Sequence, residues 1–127
     1  MDIIDEHARE SHPRECCGIL LAKSDDLSTI DLALLAKNIE KNRPEREYML
    51  DHKTCLHAVD MEIEGTAQIV GCYHSHPQGK PNPSPCDLER SVKELVYLII
   101  STKDGKAEYA AWQLKKDNFV QVPLEIK

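Results

Sequence analysis

The chain has 127 residues, 41% of them apolar and 30% charged, with a formal net charge of −6. That is one ordinary domain with enough apolar material for its own core, and it excludes the disordered class. Lys103 with Lys106 and Lys115 with Lys116 make short basic clusters, not a stripe, so neither nucleic acid nor an anionic membrane surface is expected as a partner.

The first six residues are acidic, with no basic n-region, and no apolar run approaches the roughly 20 residues that cross a bilayer. Neither a secretory leader nor a membrane span is expected. The cysteines are Cys16, Cys17, Cys55, Cys72 and Cys86. Their number is odd, two are adjacent, and no Cys-x-x-Cys pair occurs. A disulfide framework or a cysteine zinc cage is therefore disfavoured, and reduced, mostly buried thiols in the cytoplasm are expected.

In chain order, Ile3, Ile4, His7, Ala8 and Ser11 fall at helical spacing, and Pro13 ends a first helix over about residues 2–12. Cys16 to Ala22 suits a buried strand. Thr29 to Ala36 is a second strand, with helix as the alternative. The charged stretch Asn38 to Glu47, with Pro44, is a loop. Asp51 to Gly65 is an amphipathic helix capped by Asp51, lined on one face by Cys55, Leu56, Val59 and Ile63, and stopped by Gly65. Gln68 to His74 is a strand. Pro77 to Pro85, with four prolines, is a loop. Ser84-Pro85-Cys86-Asp87 opens a helix running to about Leu95, followed by strands at Val96 to Thr102, Glu108 to Leu114 and Phe119 to Ile126. The expected fold is α/β: a mixed sheet with about three helices packed around it, the last strands forming an antiparallel meander.

The chemistry concentrates in one segment. In a strand, residues i and i+2 share a side, so His74 and His76 present two imidazoles together. The proline loop then returns the chain and brings Asp87 in on the first turn of a helix. Two histidines and a carboxylate leave a fourth position for water, the pattern of a catalytic zinc; the same donors also admit iron or manganese. Each part has a plainer explanation. A single His-x-His occurs on surface strands, and Ser84 at an N-cap with Asp87 at N3 is a good structural helix start. The weight comes from their occurring together. Glu15 adds a carboxylate at the mouth of a buried strand, although a lone strand-end glutamate is usually just solvated. His7, His12, His52 and His57 are read as surface or packing residues. Cys86 lies between Ser84 and Asp87, and Cys72 shares the face of His74 further down the strand; both are read as non-ligands.

The set Glu15, His74-Ser75-His76-Pro77, Ser84 seven residues after Pro77 begins the loop, and Asp87 three residues later resembles the JAMM signature of MPN-domain metalloproteases. The likeness extends to His7-Ala8, Glu15-Cys16-Cys17-Gly18, Tyr48 with Asp51, and Ala111-Trp112, so it covers nearly the whole chain, residues 1–127, as a single domain. It points to the short prokaryotic members. The resemblance implies a JAMM/MPN domain of the cytidine-deaminase-like architecture, with one Zn2+ per chain held by His74, His76 and Asp87. It implies Glu15 as general base and Ser84 as oxyanion donor. It also implies a zinc-dependent peptidase or isopeptidase acting on the C-terminal tail of a ubiquitin-like sulfur-carrier protein. The chain is short, with little room for the insertions by which the eukaryotic members that cleave ubiquitin chains grip substrate. Two other readings compete. A nucleoside deaminase requires a Cys-x-x-Cys pair that this sequence lacks. A non-catalytic MPN-like scaffold binding a partner protein typically has lost ligands that are all present here.

Overall fold

The apolar run after Glu15 becomes the centre of the molecule. It forms β1 (Cys17–Ala22), buried at every position. β2 (Leu32–Ala36) and β3 (Gln68–His76) flank it, both antiparallel to it. The structure, a computed structural model, describes residues 2–85, 87, 91–92, 94–105 and 107–123. β4 (Val96–Ser101), β5 (Glu108–Lys115) and β6 (Asn118–Val122) complete one six-stranded sheet in the order β2-β1-β3-β4-β5-β6. The last three strands form the expected antiparallel meander. Only β3 and β4 pair in parallel, so the sheet is mixed.

A parallel pair needs a crossover, because the chain must travel back before starting the second strand. Residues 77–95 make that crossover. The proline loop therefore leaves from the end of β3 at which the histidines stand.

Among the described residues, two α-helices cover the faces. α1 (Asp2–Ser11) lays Ile4 and Ala8 on a cluster with Cys16, Leu20, Tyr73 and Leu98. α2 (His52–Glu64) lies on the opposite face, where Ala58 packs with Ile19 and Leu21, the β1 residues that alternate with Leu20. Its ends match the sequence. Asp51 accepts from the Thr54 amide at 3.0 Å, and Gly65 closes the helix at a φ of 76°, where a side chain would be strained. Gly18 has a different reason. A Cβ there would run into the Tyr73 ring and the Leu34 carbonyl, so glycine lets Tyr73 lie flat in the core. The Tyr73 hydroxyl meets His7 Nδ1 at 2.8 Å, tying α1 down.

Four expectations change. First, the buried side of α2 is Ala58, with Cys55 and Met61 partly buried beside it. Leu56, Val59 and Ile63 are exposed instead, because small Ala58 permits the close approach to the sheet. Second, β2 starts at Leu32 rather than Thr29. Asp26 gathers the Ser28 amide and the Thr29 hydroxyl into a turn, and Asp31 is spent on the Lys23 amide. Third, about three helices were expected, and two α-helices stand among the described residues. Pro85 and Asp87 are helical, but Ser91 and Val92 are not, and Glu94 sits at a φ of 75°. The Val92 amide donates to the Tyr97 hydroxyl at 2.6 Å rather than to a helical carbonyl. Residues 88–90 lie outside the described set, as does Cys86. Fourth, β6 ends at Val122, before Pro123, and residues 124–127 lie outside the described set. Among the described residues, no helix is long and apolar enough to cross a membrane.

Candidate metal centre and its surroundings

The site is built on strand register. β1 and β3 pair Cys17 with His74, and the Ser75 amide donates to the Cys16 carbonyl at 3.1 Å. Continuing that register sets Glu15 beside His76. Antiparallel partners share a face. Glu15, His74 and His76 therefore lie on one side of the sheet, the side that carries α2.

Asp87 arrives from the crossover. Its Oδ1 lies 3.2 Å from His74 Nε2, and its Oδ2 lies 3.2 Å from His76 Nε2. The two Nε2 atoms are themselves 3.2 Å apart. One ligand atom from each of the three residues lies within 4.8 Å of the others, so the group could hold a metal ion. Ser84 holds the carboxylate in place. Its amide donates to Asp87 Oδ2 at 2.8 Å, and the Asp87 amide donates to Ser84 Oγ at 3.1 Å. This is the reciprocal cap expected of Ser at an N-cap and an acid at N3. Among the described residues, the Ser84 hydroxyl hydrogen has no acceptor.

The proton count tests whether a cation fits. His76 Nδ1 donates to the Lys80 carbonyl at 2.9 Å, so in a neutral ring its Nε2 carries a bare lone pair. That lone pair faces a carboxylate oxygen and another imidazole nitrogen. Burial holds His74 below its usual pKa, outweighing the pull of Asp87, and keeps that ring neutral. Acceptors thus converge with too few protons between them. Burial would lower His76 as well, but Asp87 and the Lys80 carbonyl raise it above the ordinary value. Burial would raise Asp87, yet bonds to both histidines hold it far below the carboxylate range. Protonating His76 relieves one of these contacts; a divalent cation relieves all of them.

Glu15 is 4% exposed, and its Oε1 has no hydrogen-bond partner among the described residues. Burial lifts its pKa to about 8, against the opposing field of His76 and with the help of Asp87 and Glu47. Glu15 is thus a desolvated carboxyl within electrostatic reach of the trio. All five residues singled out by their spacing are brought to one end of the sheet.

Four neighbours were not singled out by spacing. Asn38, in the charged loop, donates from Nδ2 to the carbonyls of Glu15 (3.0 Å), Pro44 (3.3 Å) and Glu47 (3.1 Å). Its Oδ1 accepts from the amides of Glu40 and Met49, each at 3.0 Å. Tyr48 stacks on His74 with ring centroids 4.6 Å apart and planes 21° apart. Trp112 Nε1 donates to the Pro81 carbonyl at 2.9 Å, and the Ser101 hydroxyl donates to the Gly79 carbonyl. These bonds fasten the proline loop to β4 and β5. Tyr48 and Trp112 belonged to the family resemblance, but only the structure assigns them contacts. Cys16 and Cys17 are buried and Cys72 partly so, and burial pushes the Cys72 thiol up to about 12, so none is primed as a nucleophile.

The family of prokaryotic homologs of the JAB domain matches residues 1–115. The chain belongs to that family. This JAB-domain chain is 36% identical over 116 residues to the desampylase of Haloferax volcanii, covering 87% of the chain and 81% of the relative. It is 26% identical over 102 residues to a probable TtuB-protein conjugate cleaving protease of Thermus thermophilus, covering 80% and 65% respectively. Among solved structures, protein DSY2949 of Desulfitobacterium hafniense matches with a TM-score of 0.84 at 28% identity, over 100% of this chain and 88% of that one. The short prokaryotic JAMM/MPN membership expected from the signature is thus shown.

Proposed function

We propose that the chain, residues 1–127 as one domain, is a cytoplasmic zinc-dependent peptidase or isopeptidase. Its substrate is the amide bond at the C-terminal tail of a ubiquitin-like sulfur-carrier protein. His74, His76 and Asp87 hold one Zn2+, Glu15 is the general base and Ser84 the oxyanion donor. The observation that carries this reading is the convergence of two imidazole nitrogens and a carboxylate, with a buried glutamate beside them whose Oε1 has no hydrogen-bond partner among the described residues. The relatives add the bond class, since one is named for cleaving protein conjugates. Free thiols at Cys16, Cys17, Cys55 and Cys72 suit a reducing compartment.

When bound, zinc supplies Lewis acidity, lowering the pKa of water towards about 7 and polarising a carbonyl. Glu15 takes the proton of the attacking water and delivers it to the departing amine. A carboxyl lifted to about 8 in the metal-free protein is poised for both halves of that transfer, since a nearby cation pulls it down into the working range. The Ser84 hydroxyl donates to the oxygen that gains charge in the transition state. Its amide meanwhile holds Asp87, so one residue both organises a ligand and stabilises the oxyanion. An extended tail can add as a strand beside an exposed sheet edge.

The test is incubation with fusions that carry an extra residue or protein after a ubiquitin-like tail, read by intact mass with and without chelator. Chelator-sensitive release is expected for the wild type and none for Glu15→Gln. Ser84→Ala should retain metal and slow by about 10²–10³-fold. Stoichiometric zinc without cleavage of any tail would favour a binding scaffold instead.

A further inference from the structure

The two histidines of the trio are held by different means. His76 has the usual outer support, its Nδ1 donating to a main-chain carbonyl, which fixes both tautomer and ring plane. His74 does not. It is fully buried, and its Nδ1 has no hydrogen-bond partner among the described residues. Torsion about the bond to an imidazole ring is soft, so without that bond the aim of Nε2 needs another restraint.

Tyr48 supplies a flat surface in the right place. Its ring lies 4.6 Å from that of His74 and within 21° of parallel, so swinging the imidazole out of plane drives it into the phenol. The phenol is itself pinned. Its hydroxyl interacts with the Cys72 thiol, two residues before His74 on the same face of β3. Asn38 grips the main chain on either side of it, at the Glu47 carbonyl and the Met49 amide. An imidazole that gives its lone pair to a cation also becomes electron-poor, and the electron-rich face of a phenol attracts it.

We propose that Tyr48 is the positioning residue of His74, its ring setting the plane of the imidazole where His76 uses a hydrogen bond. This rests on the reading that the trio binds a divalent ion. Tyr48 touches neither substrate nor ion in this role; it works through His74.

The test uses the full chain stripped of metal, with Tyr48→Phe and Tyr48→Leu compared against the wild type. Zinc affinity is measured by competition with a chromophoric chelator. Ligand geometry is read from the visible spectrum of the Co2+-loaded protein, and metal-free stability from denaturant unfolding. Tyr48→Phe keeps the ring and loses the hydroxyl that interacts with Cys72. It should unfold at lower denaturant yet bind zinc within about twofold of the wild type, with an unchanged cobalt spectrum, whereas Tyr48→Leu should bind about 10- to 100-fold more weakly with a shifted spectrum. A merely structural role would move affinity and stability together in both variants. Wild-type affinity and spectrum in Tyr48→Leu overturn the proposal. So does a Tyr48→Phe loss of affinity of about tenfold or more, an outcome that can be read even where Tyr48→Leu fails to fold. A wild-type chain that takes up no ion overturns the metal reading itself, and this inference with it.

Discussion

The side-chain amide of Asn38 donates to the main-chain carbonyl of Glu15 at 3.0 Å, so a residue from the charged loop holds the backbone of the candidate base. The Glu15 amide donates to the Pro44 carbonyl of the same loop at 2.7 Å, and Asn38 bonds that carbonyl too. Removing the amide strands several partly buried main-chain groups. Asn38→Ala should cost about 1–3 kcal/mol in denaturant unfolding, and Asn38→Asp, which keeps the acceptor but loses the donor, should cost a similar amount. An Asn38→Ala protein as stable as the wild type would show that water replaces these bonds.

None of this was legible in the sequence, for a physical reason. Asn38 binds main-chain atoms, which are the same in every residue and leave no pattern of types. The trio, Glu15 and Ser84 were legible because their chemistry is tied to side-chain type at fixed spacing. The ends of α2 were legible through Asp51 and Gly65, but its buried face was not. Apolar residues stood on two faces, and the choice between Ala58 and the Leu56, Val59, Ile63 stripe was made by the sheet's need for close approach at Ile19 and Leu21. The third helix was overextended because helical periodicity does not register that Glu94 turns the chain into β4.

Glu15 gives the metal-free protein a distinctive pH dependence. In the folded chain it keeps its proton up to about 8, against 4.5 ordinarily. Between those values the folded state binds a proton that the unfolded state has released. Its stabilising contribution is full below the lower value and is lost as pH rises through the upper one. The unfolding free energy of wild type minus that of Glu15→Gln, measured in chelator, should therefore fall from pH 5 to pH 8 by roughly 1.4 kcal/mol per unit at its steepest. Zinc should flatten the slope by favouring the carboxylate. A difference that is constant with pH would mean that Glu15 is solvated.

Metal binding should appear as stability. An ion that binds only the folded chain adds about 2.7 kcal/mol at one hundred times its dissociation constant. The wild type should therefore melt higher with zinc than with chelator. Asp87→Ala should lose most of that increment, because the two imidazoles remain without their carboxylate partner. An equal zinc increment in both proteins would point to a different binding site.

The proline loop should depend on β5. Trp112→Phe keeps an aromatic ring, smaller than the indole, and removes the donor to the Pro81 carbonyl, a bond worth about 0.5–1.5 kcal/mol. Amides at Gln78, Gly79, Lys80 and Asn82 should then exchange faster with deuterium, read by mass spectrometry of the peptide spanning them, while β1 and β3 stay protected. Unaltered exchange at those amides would show that Ser101 and His76 anchor the loop without the indole.

Glu15 and the histidine pair stand on one ladder, Glu15 level with His76 and His74 two rungs along, while Asp87 reaches them from a strap. The two arms of the centre consequently fail in different ways. A slip of one rung between β1 and β3 would turn Glu15 away from the histidines and unzip the middle of the sheet, so that half stays intact until the whole molecule melts. The aspartate can come loose with the strap alone. Warming should therefore leave a temperature interval in which the imidazoles still stand side by side while the third arm has swung away.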